Sequence, residues 1–104
     1  MSYQHQYTDG TRIHFPAGKV VCVGRNYAAH AKELNNPIPN EPLLFIKPGS
    51  SVVSAEGGFH IPHDRGAVHY EVEIAVLIGK PLSRQPNEDE VLEAISGFAP
   101  ALDL

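Results

Sequence analysis

The clearest pattern along the chain is the alternation of apolar and polar positions over residues 68–78. In an extended chain, one face of this segment carries Tyr70, Val72, Ile74, Val76 and Ile78. The other face carries His69, Glu71, Glu73, Ala75 and Leu77. A period of two predicts a β-strand that is covered on its apolar face, and Gly79 and Pro81 indicate where that strand ends.

Shorter apolar and β-branched runs predict further strands on both sides of this segment. These runs lie at residues 19–23, 43–47, 51–54, 59–61 and 98–104. Near the amino terminus, the pair Asp9-Gly10 separates two short aromatic and β-branched segments, which is a strong signal for a β-hairpin. We therefore expect an N-terminal hairpin over residues 1–18, followed by a mainly β chain.

Two segments carry the signals of short helices. Residues 26–34 are rich in good helix formers, with Asn26 as the N-cap and Pro37 shortly after the end. Asn87 precedes three consecutive acidic residues, as expected for an N-cap and the first turn of a helix. We expect this second helix to end at Gly97, so that the fold class is α+β and mainly β.

Composition and charge narrow the range of partners. The 104 residues are enough for one domain, and the formal net charge of −4 speaks against a broad phosphate-binding surface. The first residues lack the apolar stretch of a signal peptide, and no apolar run is long enough to span a bilayer. The single cysteine, Cys22, fits a reducing compartment. We expect a cytoplasmic protein that binds neither nucleic acid nor membrane.

Glu71 and Glu73 are the first candidates for chemistry. Their Cα atoms lie about 7 Å apart on one strand face, so both carboxylates reach a common point. A hard divalent cation there would offset their repulsion, and Asp103 at the end of another apolar segment could supply a third oxygen. The spacing is equally compatible with two acids on a solvated strand face.

A second reading of the same region is a zinc site that mixes histidine and carboxylate ligands. His69 shares the face of the two glutamates, and His60 and His63 are nearby in sequence. Pro62 and the turn residues around it argue against one rigid ligand face, so this is the weaker alternative.

His30 and Glu33 are the second pair of candidates. They are three residues apart, which places them on one face of the predicted helix over residues 26–34. A carboxylate in that position can hold the imidazole in one tautomer and raise its basicity. The spacing by itself favours an ordinary pair on a helix surface.

Four short motifs occur in a fixed order between Lys19 and Leu104. They are Gly24-Arg25-Asn26-Tyr27 with His30 and Glu33; Phe45-Ile46-Lys47-Pro48; His69-Tyr70-Glu71-Val72-Glu73 running into Ile78-Gly79-Lys80; and Gly97-Phe98 with Asp103. In this order and spacing they resemble the fumarylacetoacetate hydrolase family, and in particular its short bacterial members. The resemblance implies the N-terminal part of that family's β-sandwich roll, with short helices.

The resemblance also implies roles for individual residues. It makes Glu71, Glu73 and Asp103 the ligands of Mg²⁺ or Mn²⁺, and it makes His30 and Glu33 a catalytic dyad. Two further residues, Arg25 and Lys47, would bind the substrate. The implied substrate is a small 2-oxo acid, and the implied assembly is a homodimer.

The implied reaction proceeds through an enolate that the metal ion stabilises. It is either hydrolysis of a C–C bond in an acylpyruvate, or keto–enol isomerisation or decarboxylation of a 2-oxo dicarboxylic acid. The family pattern continues beyond this sequence, so we expect residues 19–104 to be the N-terminal portion of a catalytic domain and to be inactive alone. The alternative is a non-catalytic module that binds a metal or a partner.

Overall fold

The computed structural model describes residues 3–24 and 41–104. Its elements are β1 (Val20–Gly24), β2 (Leu43–Lys47), a 3₁₀ turn (Gly49–Ser51), β3 (Glu71–Ile78), α1 (Glu88–Ala94) and β4 (Ile95–Asp103). The expectation of a mainly β, α+β fold is confirmed. Two compact units are present, Met1–Phe59 and His60–Leu104, whereas the helix expected over residues 26–34 lies outside the described residues.

The N-terminal segment folds back on itself at Asp9 and Gly10. Gly10 has a φ of +88°, a left-handed conformation that favours glycine. The backbone N–H of Thr11 donates to a carboxylate oxygen of Asp9 at 2.8 Å, and this bond holds the pKa of Asp9 below its usual value. Beyond the turn, Gln6 and Arg12 form one isolated antiparallel bridge. The hairpin predicted from Asp9-Gly10 is therefore a tight turn with a single bridge.

The first unit contains a two-stranded antiparallel ribbon made of β1 and β2. Its register places Val20 opposite Lys47 and Gly24 opposite Leu43. One face of this first ribbon carries four aliphatic side chains, all exposed: Val21, Val23, Leu44 and Ile46. The other face carries Val20, Cys22, Gly24, Leu43, Phe45 and Lys47. Both strands lie within one residue of their predicted positions.

Gly49, at the start of the 3₁₀ turn after β2, lies against the backbone that precedes β1. A Cβ atom at this position would clash with the carbonyl oxygen of Ala17 and would lie 2.7 Å from that of Gly18. The backbone therefore approaches the segment before β1 more closely than any side chain would permit. The strand expected over residues 51–54 is wrong, because the backbone N–H of Ser51 bonds to Pro48 in a 3₁₀ turn. The strand expected over residues 59–61 is wrong as well, because this segment is irregular and pairs with no strand in the described residues.

The second unit contains the longer ribbon, in which β3 and β4 pair antiparallel. Opposite residues share a face, so the register defines two faces. The carboxylate face, as we call it, consists of Glu71, Glu73, Ala75, Leu77, Gly97, Ala99, Ala101 and Asp103. The apolar face consists of Val72, Ile74, Val76, Phe98, Pro100 and Leu102. The predicted alternation is confirmed, although β3 begins at Glu71 rather than at residue 68.

α1 leads directly into β4. Its N-cap is Asn87, as predicted, in a complete capping box with Glu90: each backbone N–H donates to the other residue's side chain. The expectation that Gly97 ends the helix is wrong. The helix ends at Ala94, and Gly97 pairs with Leu77 inside β4, next to a bulge in the register.

Very little apolar surface is buried in the described residues. Among them, only Ile13 and Ala94 are apolar and buried. Most large apolar side chains of the four strands remain more than 40% exposed. No helix in the described residues has the length and apolar character needed to cross a membrane.

Candidate metal centre

The strand register brings three carboxylate residues to one end of the carboxylate face. Glu71 is directly opposite Asp103, and Glu73 lies two residues further along β3. Directly opposed Cβ atoms in an antiparallel pair are about 5 Å apart, and alternate residues of one strand are about 7 Å apart. The backbone positions of the three residues are therefore close enough for their side chains to reach one point.

The side chains themselves are not gathered around such a point. Within residues 3–24 and 41–104, no three His, Cys, Asp or Glu side chains are arranged so that they could hold a metal ion. Glu73 and Asp103 are half-buried, whereas Glu71 is exposed. The assignment of these residues as metal ligands therefore stays a prediction, supported by register and not by ligand geometry.

The donor chemistry of the three residues suits a hard divalent cation. Carboxylate oxygens are the ligands that Mg²⁺ and Mn²⁺ prefer in proteins. Three carboxylates that converge repel one another, and a bound cation offsets that repulsion. By chemistry and by backbone position, Glu71, Glu73 and Asp103 thus fit a magnesium or manganese site.

The zinc alternative receives no support from the described residues. His60, His63 and His69 all lie in the exposed segment before β3. None of them joins a group of three candidate ligands in the part of the chain that the structure describes.

Small residues lie beside Glu73 on the carboxylate face, and the sequence analysis did not anticipate this. Ala101 lies opposite Glu73, and Ala99 lies opposite Ala75. These side chains end at Cβ, so they occupy little volume beside Glu73, and both alanines are half-buried. The signal for this feature is the run Gly97, Ala99 and Ala101, which places small residues at alternate positions of β4.

The structure does not relate the remaining predicted site residues to the three carboxylates. Lys47 is half-buried at the end of β2 and belongs to the first unit, whereas the three carboxylates belong to the second. Arg25, His30 and Glu33 lie outside the described residues. Their predicted roles in binding and catalysis stay predictions.

Comparisons with known proteins agree on one family. The family model described as fumarylacetoacetate (FAA) hydrolase C-terminal matches residues 19–104. Oxaloacetate tautomerase YcgM of Escherichia coli is 50% identical over 102 residues, which cover 98% of this chain and 46% of that protein. The mitochondrial oxaloacetate decarboxylase of Dictyostelium discoideum is 45% identical over 87 residues, which cover 83% of this chain and 39% of that protein.

A solved structure shows the same backbone. A crystal structure of a candidate fumarylacetoacetate isomerase/hydrolase from Oleispira antarctica matches with a TM-score of 0.85 and 57% identity. The match covers 91% of this chain and 42% of that one. This chain therefore spans less than half the length of each of these relatives. The match over residues 19–104 nevertheless shows that the chain belongs to the fumarylacetoacetate hydrolase family.

Proposed function

We propose that the protein interconverts the keto and enol forms of a small 2-oxo dicarboxylic acid of the oxaloacetate type. Support for the substrate class comes from the E. coli relative, which is named an oxaloacetate tautomerase and is 50% identical over 102 residues. As part of the same proposal, Glu71, Glu73 and Asp103 hold Mg²⁺ or Mn²⁺.

The register of β3 against β4 is the observation that supports the metal assignment. Glu71 lies opposite Asp103, and Glu73 shares their face. A one-residue slip of either strand would move its carboxylates to the apolar face, so the pairing matters as much as the residues. The small residues beside Glu73 occupy little volume on the same face.

Keto–enol interconversion moves one proton from C3 of the substrate to its keto oxygen, with no oxidation or reduction. A bound divalent cation supplies positive charge that stabilises the enolate form of the substrate. The three carboxylates bind that cation through their oxygens. Their combined negative charge keeps it in place while the substrate exchanges.

Proton movement at C3 requires a base that also acts as an acid. In this proposal His30 takes the proton from C3 and passes it to the enolate oxygen, the reverse reaction follows the same path, and Glu33 holds the imidazole in one orientation. Arg25 and Lys47 pair with the substrate carboxylates, which carry the opposite charge.

Decarboxylation of the same substrate is the second candidate function. It is favoured by the relative in Dictyostelium discoideum, which is named an oxaloacetate decarboxylase. In that reaction the bond between C3 and the departing carboxylate breaks, and the electron pair passes into the enolate. Both candidates thus pass through an enolate that a cation can stabilise, but decarboxylation gives the enolate of the acid that has lost CO₂, because a different bond breaks.

Both functions can be tested in a chimaera in which this 104-residue sequence replaces the matched part of the E. coli relative. We expect Mg²⁺-dependent loss of the enol absorbance of oxaloacetate, with no CO₂ released, and we expect EDTA to abolish it. Release of CO₂ at the same rate would favour decarboxylation. Cleavage of an acylpyruvate without any effect on oxaloacetate would overturn both.

The role of the dyad is tested in the same chimaera by His30→Ala. We expect turnover to fall by about 10²-fold to 10⁴-fold, the usual effect of removing a general acid or base, while Mg²⁺ affinity is unchanged. His60→Ala, at an exposed position in the loop before β3, is the matched control. Full turnover in His30→Ala would remove this residue from the mechanism.

A further inference from the structure

The tight turn at Asp9 and Gly10 is a feature that the proposed function does not use. Both residues are exposed, and no other aspartate or asparagine in the sequence is followed by glycine. An aspartate before a glycine is prone to form a cyclic imide. Glycine has no side chain to hinder the attack of its backbone nitrogen on the aspartate carboxyl carbon. The pair is therefore a candidate for covalent modification.

Two hydrogen bonds engage the groups that would react. The backbone N–H of Thr11 donates to a carboxylate oxygen of Asp9 at 2.8 Å, and the backbone N–H of Gly10 donates to the carbonyl oxygen of Tyr7 at 2.9 Å. Imide formation requires the Gly10 nitrogen to lose its proton, which the bond to Tyr7 retains. The carboxyl group reacts best when protonated, whereas the Thr11 N–H stabilises its charged form. Both bonds therefore oppose the reaction while the turn is closed.

Little else holds this turn closed. The strand pairing next to it is the single isolated bridge between Gln6 and Arg12. Both of these residues are exposed. Exposed segments with few contacts open at a low free energy, much lower than that of global unfolding. The two protecting bonds are therefore expected to break repeatedly in the folded chain.

We propose that Asp9 is a site of isoaspartate formation whose rate is set by the opening of this turn. In the first step the Gly10 nitrogen loses its proton and bonds to Cγ of Asp9, and the carboxyl group leaves as water. In the second step water adds to the main-chain carbonyl carbon of Asp9, and its bond to the Gly10 nitrogen breaks. The water released first is consumed second, so the sequence needs no oxidant and no co-reactant.

The product has a different main chain at the turn. Gly10 is now linked through the former side-chain carboxyl of Asp9, which adds one methylene to the backbone and removes the acceptor of the Thr11 bond. Beyond the turn, Ile13 is 6% exposed and its backbone N–H donates to the carbonyl oxygen of His5 at 3.0 Å. This contact depends on the chain reversal, so we expect isomerisation to release it. The new main-chain carboxylate is the group that isoaspartyl methyltransferases methylate with S-adenosylmethionine.

Ageing the full chain at neutral pH tests the proposal. Trypsin then releases residues 1–12, in which Asp9 is the only aspartate and asparagine is absent. A peptide of unchanged mass and shifted retention, which isoaspartyl methyltransferase labels, therefore reports residue 9 alone. We expect this isomer to form in the folded chain and to form faster in urea. The ratio of the two rates should follow the hydrogen-exchange protection of the Gly10 amide.

Thr11→Pro tests the role of the protecting bond, because proline has no backbone N–H to donate to Asp9. We expect its rate of isomerisation to approach that of the chain in urea. Thr11→Val is the matched control, since it retains the N–H, and its rate should stay near that of the unchanged chain. In the purified isomer, the amide of Ile13 should exchange with solvent faster, whereas the amides of β3 should not change.

The absence of the isomer from the folded chain, when the chain in urea forms it, would show that the turn blocks the reaction. Equal rates in the folded chain and in urea would show that the two bonds do not control it. Equal rates in Thr11→Pro and Thr11→Val would show the same for the bond to Asp9. Each of these results would overturn the proposal, which does not depend on the reaction that the carboxylates support.

Discussion

The two ribbons of this chain have the same architecture and different sequence patterns. The β1–β2 ribbon is apolar on both faces, with one charged residue, Lys47, at the end of β2. The β3–β4 ribbon separates most of its residues, with the carboxylates and small residues on one face together with Leu77, and the other large apolar side chains on the opposite face. The first pattern is typical of strands covered on both faces, and the second of a sheet with one face left for chemistry.

The two patterns indicate that the ribbons differ in how many of their faces other parts of a protein must cover. Ile46 in the first ribbon is 62% exposed and Ile74 in the second is 71% exposed, so the described residues cover neither. The first ribbon has apolar side chains to bury on two faces. The second has large apolar side chains to bury mainly on one face, and on its other face Glu71 is exposed while Glu73 and Asp103 are half-buried.

Removing a carboxylate from the second ribbon should have the largest effect, which is a loss of Mg²⁺ affinity. We expect Glu71→Gln, Glu73→Gln and Asp103→Asn each to lower Mg²⁺ affinity by at least about 100-fold, which is about 2.7 kcal/mol. Each substitution removes one charged oxygen ligand and nearly preserves the side-chain volume. Isothermal titration calorimetry measures the affinity.

Glu93→Gln is the matched control for these variants, because Glu93 is an exposed acid on α1 outside the carboxylate face. It should leave Mg²⁺ affinity unchanged. If Glu93→Gln weakens binding as much as the three other variants, the ion responds to net charge and the second ribbon has no specific site.

Gly49→Ala should have a smaller effect, which is a loss of local stability confined to the first ribbon. The new methyl group would clash with the Ala17 carbonyl oxygen, and overpacking of this kind costs about 1–3 kcal/mol. We expect the amides of β1 and β2 to exchange with solvent about 5-fold to 150-fold faster, while those of β3 and β4 are unchanged.

Gly57→Ala provides the matched control, because nothing lies within 4 Å of a Cβ atom at Gly57. It should leave exchange in β1 and β2 unchanged or slow it slightly. Equal exchange rates in both variants would show that the close approach at Gly49 does not hold the first ribbon in place.

Much of the fold could be predicted because strand patterns are local. The alternation over residues 68–78 and the apolar run at 43–47 are visible in the sequence, and so is the cap at Asn87. The wrong predictions concern segments whose conformation depends on the segment they pair with. Residues 51–54 have a β-like composition but pair with no strand in the part of the chain that the structure describes, and Gly97 continues a strand because Leu77 lies opposite it.

The candidate site could be predicted in part for the same reason. The spacing of Glu71 and Glu73 fixes their common face, but only the register shows that Asp103 lies opposite Glu71. The position of the small residues beside these carboxylates became evident only from the register of β3 against β4. The positions of His30 and Glu33 relative to the carboxylates depend on long-range packing, which their spacing does not encode.

Broadening of backbone amide resonances by Mn²⁺ tests most directly whether the three carboxylates bind one cation. Paramagnetic broadening falls steeply with distance, so a bound ion marks the residues around it. We predict that low Mn²⁺ concentrations broaden the amides of Glu71, Glu73 and Asp103 first, that excess Mg²⁺ reverses the effect, and that α1 is unaffected. Broadening spread evenly over the exposed acids of the chain, or centred on the histidines before β3, would contradict the assignment.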